Sequence, residues 1–162
     1  MKIIKNFDNL TREKVAQDNR TLYIFTDNTD RSSGTMRIPA DSWYYKKYSC
    51  GKTLYFPGVT LAIMRGLPNA FPLTTQRWYH GDKKGIAGRW HDDDITEFRN
   101  VIEDDINTIV NACKTGQFDC IMIPKDGFFN SRISFISKER CPKIYNCLRM
   151  QLLILEKRIE SL

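Results

Sequence analysis

A chain of 162 residues, 41% hydrophobic and 27% charged, has the size and composition of one globular domain that buries its own core without metals or disulfides. Its formal net charge of +6 favours an anionic partner: a nucleotide, a nucleic acid or an acidic protein. No apolar stretch approaches the roughly 20 residues of a membrane-spanning helix, and Met1 to Phe7 lacks the apolar region and small-residue cleavage site of a signal peptide, so no membrane is expected and the expected compartment is the cytoplasm.

In chain order, Leu22-Tyr23-Ile24-Phe25 is an apolar run that predicts the first strand. Asp41 to Tyr48 predicts a short helix capped by Asp41, with Gly51 just beyond it. Thr60 to Arg65 predicts a second short helix, stopped by Gly66 and Pro68, and Ala70 to Leu73 returns to a strand. The stretch Arg77 to Trp90, rich in glycine and charge, reads as a hairpin, as a flap over a ligand, or as a plain surface excursion.

The clearest periodicity follows. Ile95, Phe98, Val101, Ile102, Ile106, Ile109, Val110 and Cys113 recur at threes and fours, the stripe of an amphipathic helix within Asp92 to Thr115. Asp92, Asp93 and Asp94 stand where carboxylates favour the positive end of the helix dipole, and Gly116 ends the helix. Phe118 to Ile123 predicts another strand; Pro142 then opens a last helix carrying Ile144, Leu148, Leu152, Leu155 and Ile159. Strands separated by helices imply a single layered α/β domain over residues 1–162 with a mainly parallel sheet.

Five cysteines, Cys50, Cys113, Cys120, Cys141 and Cys147, form no Cys-x-x-Cys pair and have no histidine at a metal-ligand spacing. They read as reduced, partly buried small hydrophobes, so neither a metal nor a cofactor is expected.

If the strands are parallel, three polar loops share one edge of the sheet, where open α/β sheets bind ligands. The first, Thr26 to Gly34, offers Asp27 and Asn28 to ribose hydroxyls and Arg31 to a phosphate. Turn chemistry alone accounts for Asp27, Asn28 and Gly34 but does not require Arg31. The second, Thr74 to His80, is approached through Arg65 and brings Thr75, Arg77, Trp78 and Tyr79, a mix suited to a nucleotide or to rim packing. The third, Lys125 to Arg132, sets Phe128 and Phe129 between Gly127 and Arg132; the rings either form a platform for a purine or fold back into the core. The expected pocket has Arg31, Arg77 and Arg132 on phosphates, Asp27 and Asn28 on ribose, and Phe128 or Tyr79 on the base. Thr26, Gly34, Arg65, Thr75, Gly127 and Asn130 complete it.

No nucleophile elbow, Walker loop, dinucleotide fingerprint or His-Glu-x-x-His segment is present. Asp27, Asp30 and His80 are the candidates for a general base, which leaves hydrolysis of a nucleotide open beside binding without turnover; each also has an ordinary structural reading as a turn carboxylate or lone histidine.

The strings Tyr23-Ile24-Phe25-Thr26-Asp27-Asn28-Thr29-Asp30-Arg31-Ser32-Ser33-Gly34, Ile63 to Tyr79 with Arg65-Gly66-Leu67-Pro68-Asn69-Ala70-Phe71-Pro72-Leu73 at its centre, and Asp126-Gly127-Phe128-Phe129-Asn130-Ser131-Arg132-Ile133-Ser134 resemble a family of small uncharacterised proteins of bacteriophage genomes. More distantly, the order of strand, Asn-containing loop, glycine and Pro/Thr strand end is similar to macro-like and nucleotide-sensing Rossmann-like phage proteins, although the glycine-rich phosphate loop of macro domains is missing. The resemblance implies a Rossmann-like or macro-like fold in a protein of the host-cell cytoplasm. It also implies recognition of an ADP-ribose-like or cyclic nucleotide, sequestered or degraded to counter a bacterial immune signal. Such a pocket can lie between protomers of a homo-oligomer. The rival reading is a basic inhibitor that binds a host protein or nucleic acid through Arg140, Lys143, Arg149, Lys157 and Arg158. No nucleic-acid motif supports its second form, and charged faces on terminal helices are usually solvated.

Overall fold

The central strand explains the architecture. In a computed structural model of the chain, which describes residues 2–7, 10–78, 88–129 and 135–162, strand β2 (Thr21–Asn28) is buried along most of its length, as a parallel strand covered on both faces must be. It lies between β6 (Cys120–Pro124) and β5 (Ala70–Gln76), and β1 (Lys2–Phe7) flanks β6, giving the order β1-β6-β2-β5 with every pair parallel. Tyr23 faces Ala70 on one side and Met122 on the other, which fixes the register.

Alternation along β2 divides the interior. Leu22 and Ile24 join Phe98, Ile102, Ile106 and Ile109 of helix α3 (Ile95–Cys113) and Ile144, Leu148, Leu155 and Ile159 of helix α4 (Pro142–Glu160). Tyr23 and Phe25 project the other way, against Val15 of α1 (Arg12–Gln17), Tyr44 of α2 (Trp43–Tyr48), and Ala62 and Met64 of a 3-10 turn at Leu61–Met64. Each large side chain fully buried in this way contributes about 1.5–3 kcal/mol. The fold is a layered α/β structure around a parallel sheet, as the alternation of elements implies.

Several boundaries depart from the sequence expectations, each for a local reason. The cap of α2 is Ser42 rather than Asp41, because the Ser42 hydroxyl accepts the Tyr45 N–H. The expected helix at Thr60 to Arg65 is only a 3-10 turn, entered through Thr60 Oγ1 accepting the Ala62 N–H. Asp92, Asp93 and Asp94 form a separate 3-10 turn before α3, and Asp92 Oδ1 accepts the N–H groups of Lys143 and Ile144 at 3.1 Å, so it caps α4 instead. Thr26 to Asn28 and Thr74 to Gln76, expected in loops, continue β2 and β5. Phe118 is a core residue ahead of β6. Strand β1, helix α1 and the two-stranded antiparallel ribbon β3 (Met36–Arg37) with β4 (Tyr55–Phe56) are additions.

All five cysteines are free thiols, with Cys113 and Cys141 buried and Cys50 exposed. Among the described residues no helix is long and apolar enough to cross a membrane, and no group of histidine, cysteine and carboxylate side chains is placed to hold a metal. The expected hairpin or flap between Arg77 and Trp90 falls largely on residues 79–87, outside the described residues; among the rest, Gly88 N–H donates to Arg77 O.

Candidate functional site

Because β2, β5 and β6 are parallel, their carboxyl ends, from which the three loops set out, lie along one edge of the sheet. The connections from β5 and β6 lead to α3 and α4 on one face, whereas the connection from β2 leads to the β3–β4 ribbon and α2 on the other. A strand whose outgoing connection parts from those of both neighbours leaves a crevice at its end. The crevice here is a cleft of about 310 Å³ between residues 29–32, the end of α2 with the turn after it, and Trp78.

Beneath the cleft is a buried ionic cluster. Asp27, 1% exposed, receives the Arg65 guanidinium through Nε at 2.9 Å and Nη2 at 2.7 Å, the Asn28 N–H at 2.8 Å, and the Tyr44 hydroxyl. Arg65, 2% exposed, donates from Nη1 to the carbonyls of Ser33 at 3.0 Å and Tyr55 at 2.9 Å. It therefore fixes the course of the first loop and has nothing left for a ligand. Gly34 serves the same end: with φ +144 its backbone passes so close to Phe56 that a Cβ would meet Phe56 C at 2.5 Å.

Arg31 is arranged differently. Its Nε lies 3.7 Å from Asp27 Oδ2, its Nη2 donates to Thr74 Oγ1 at 2.9 Å, and its guanidinium stacks 4.0 Å from the centre of the Tyr48 ring. The side chain is 11% exposed and lines the cleft, and its buried Nε has no hydrogen-bond partner among the described residues. Burial works against its charge, but the neighbouring carboxylates, Asp27 first and then Asp105, outweigh burial and hold it firmly protonated. Asp105, projecting from α3, is 2% exposed and accepts the Thr74 N–H at 2.8 Å and the Tyr48 hydroxyl at 3.4 Å. Burial pushes its carboxyl up to about 7, against the opposing pull of Arg31 and of Thr74. The phenols of Tyr44 and Tyr48 are raised, by burial first and then by the neighbouring carboxylates, and stay neutral donors.

The remaining candidates divide by position. Thr26 and Asn28 belong to β2, and Asn28 Oδ1 accepts the Asp30 N–H. Asp30 Oδ1 accepts both the N–H and the hydroxyl of Ser32, so it acts as a turn carboxylate. Thr75 is fully buried, and its Oγ1 has no partner among the described residues. Arg77 pairs with Glu97 at 3.1 Å and donates to Trp78 O, while Trp78 is 41% exposed at the mouth of the cleft with its N–H on Thr29 Oγ1. Gly127, at φ +70, turns the chain after β6, its N–H on Pro124 O. Phe128 is 4% exposed within the α3–α4 core, which corrects its assignment to a base: the ring has no free face. Tyr79, His80, Asn130 and Arg132 lie outside the described residues.

Sequence reasoning missed Asp105, Tyr44, Tyr48 and Lys52. One signal for the first was legible, since Asp105 falls on the apolar stripe of α3, three after Ile102 and four before Ile109, where a carboxylate needs partners to be buried. Residues 6–151 match a protein family described as one of unknown function. No curated protein and no solved structure matches the chain.

Proposed function

The chain belongs to that family, DUF7831, and we propose that it binds a nucleotide at the carboxyl edge of its sheet, phosphates toward Arg31 and Lys52 and the base against Trp78. Arg31 carries the reading. It is a nearly buried cation that lines a cleft, fixed from behind by Asp27, Thr74 and the Tyr48 ring, and belongs to a chain of net charge +6. Exposed Lys52 supplies a second positive charge, and Trp78 and Tyr48 supply ring surface within the same cleft.

Binding without turnover is favoured over hydrolysis. Asp27 is buried and held by Arg65 and Tyr44, and Asp30 carries the turn at Ser32 on its Oδ1, so both described candidates for a general base have a structural role, while His80 lies outside the described residues. Support for an ADP-ribose-like or cyclic nucleotide over other nucleotides is the sequence resemblance alone; in a phage-encoded protein such binding would withdraw an immune signal in the host cytoplasm.

Calorimetry with ADP-ribose, cyclic AMP and a cyclic dinucleotide tests the reading, with chromatography of the denatured mixture afterwards. Saturable binding of at least one probe, weakened in Lys52→Ala and Trp78→Ala, with the ligand recovered intact, is expected. Absence of binding at about 1 mM of every probe would sink it.

A second reading, a docking surface for a protein partner, draws on α4, where Met150, Leu153 and Ile154 are 49%, 42% and 40% exposed. Of the basic residues assigned to such a surface, Arg140 donates to Phe135 O and Trp90 O, and Arg158 to Asn107 Oδ1.

A further inference from the structure

Two residues bridge Asp105 to Arg31. Thr74 donates its backbone N–H to Asp105 Oδ2 at 2.8 Å and accepts Arg31 Nη2 on its hydroxyl at 2.9 Å. Tyr48 directs its hydroxyl to Asp105 Oδ1 and its ring face to the Arg31 guanidinium. The carboxylate thus stands behind the cation that faces the cleft, linked to it through Thr74 and Tyr48 and carried by α3 on the opposite face of the sheet from α2.

We infer that Asp105 is a positioning residue for Arg31 and sets, through its own protonation, how strongly the cleft attracts an anion. The groups facing it are Asp27 on β2, Arg31 after β2, Tyr48 on α2 and Thr74 on β5; the neighbouring Asp104 is turned outward, to Lys47 at 3.0 Å. Charge counting gives the sign. With both aspartates ionised, Asp27 and Asp105 balance Arg31 and Arg65, and the cluster is neutral. When Asp105 takes up a proton, the Arg31 charge is left in excess beside the cleft, so anion affinity rises as pH falls. Burial pushes the carboxyl up to about 7, which places this change in the neutral range.

This inference rests on the proposed nucleotide site, and its test separates the two. ADP-ribose is a suitable probe because its pyrophosphate keeps a fixed charge across neutral pH. At constant ionic strength the wild-type protein should bind it about fivefold more tightly at about pH 6 than at about pH 8. Asp105→Asn, a neutral carboxyl mimic, should show the tighter affinity at both. Ligand-free wild-type protein provides an arm that needs no variant: the nuclear magnetic resonance signal of the Arg31 Nε–H should shift with pH in step with the Asp105 carboxyl carbon, with a midpoint near 7. An Arg31 signal that ignores the Asp105 titration overturns the coupling, as does an affinity that is flat with pH or keeps its slope in Asp105→Asn. If the two signals titrate together while ADP-ribose binds at neither pH, the coupling stands and the nucleotide reading falls.

Discussion

The two ends of the sheet solve the same problem with different chemistry. At the amino end of β5, Asn69 spreads its Nδ2 over the carbonyls of Val15, Asp18 and Thr21 at 2.8, 2.8 and 3.2 Å, tying α1 and the start of β2 together with one neutral amide. At the carboxyl end, Arg65 does the equivalent work on the loop after β2, but with a charge that must be balanced by Asp27. Each end also has a concavity, and the one at the amino end, about 380 Å³ and lined in part by Cys113, Lys114 and Asp119, is the larger. Size does not decide between them. Among the described residues only the carboxyl end joins its cleft to buried charges. Desolvation offsets much of the Coulomb energy of the Arg65–Asp27 pair, so what the pair adds over an amide is a fixed carboxylate that also holds Arg31, the one cation of the cluster that lines the cleft.

Breaking the charged end should produce the largest effect. Arg65→Ala leaves Asp27 buried without its main partner and several loop carbonyls unsatisfied, and is expected to cost about 3–5 kcal/mol in urea denaturation. Removing both charges, in Asp27→Ala with Arg65→Ala, should cost less than the sum of the single changes, since neither charge is then stranded. Additive losses would show that the pair is not coupled. The neutral end should suffer less: Asn69→Ala removes one amide group and no charge, for roughly 2–3 kcal/mol. A larger loss there than at Arg65 would reverse the contrast drawn between the ends.

These two anchors also mark what the sequence could and could not reveal. The helices α3 and α4 were legible because long apolar stripes survive small errors of boundary, and the shared edge of the three loops followed from the alternation of strand and helix. Helix α1 was not, since it is six residues long and buries only Val15. The site was legible in outline: Arg31 stood out because no turn requires it. Its partners were hidden, because Tyr44 and Tyr48 read as ordinary packing of a short helix and Asp105 as one more acid on a charged one. Arg65 read as a ligand contact for the opposite reason; nothing in a linear chain shows that Ser33 and Tyr55 turn their carbonyls onto it.

Stability against pH sharpens the comparison further. The folded state raises the Asp105 carboxyl to about 7 from an unfolded value near 4, so its contribution is fully present below the unfolded value and is lost as pH rises through about 7. Between about pH 6 and pH 8 the wild-type protein should therefore lose roughly 1.4 kcal/mol relative to Asp105→Asn, read as diverging urea midpoints. Parallel curves would mean that Asp105 does not titrate there. Substitutions at Asn69 should leave the divergence unchanged, because the amino-end anchor holds no titrating group.

The smallest effect compares two exposed lysines, one beside each concavity. Lys52 borders the carboxyl-end cleft and Lys114 the amino-end one, and both are free of ion pairs among the described residues. An exposed charge contributes less than about 1 kcal/mol to a contact, so Lys52→Ala should weaken nucleotide binding only two- to fivefold, with the loss shrinking as salt is raised. Lys114→Ala removes the same unit of positive charge from the whole molecule. If net charge alone drew the ligand, the two variants would weaken binding alike; if the carboxyl-end cleft holds it, only Lys52→Ala does. The pair of titrations thus separates a located site from a general attraction of a basic protein for anions.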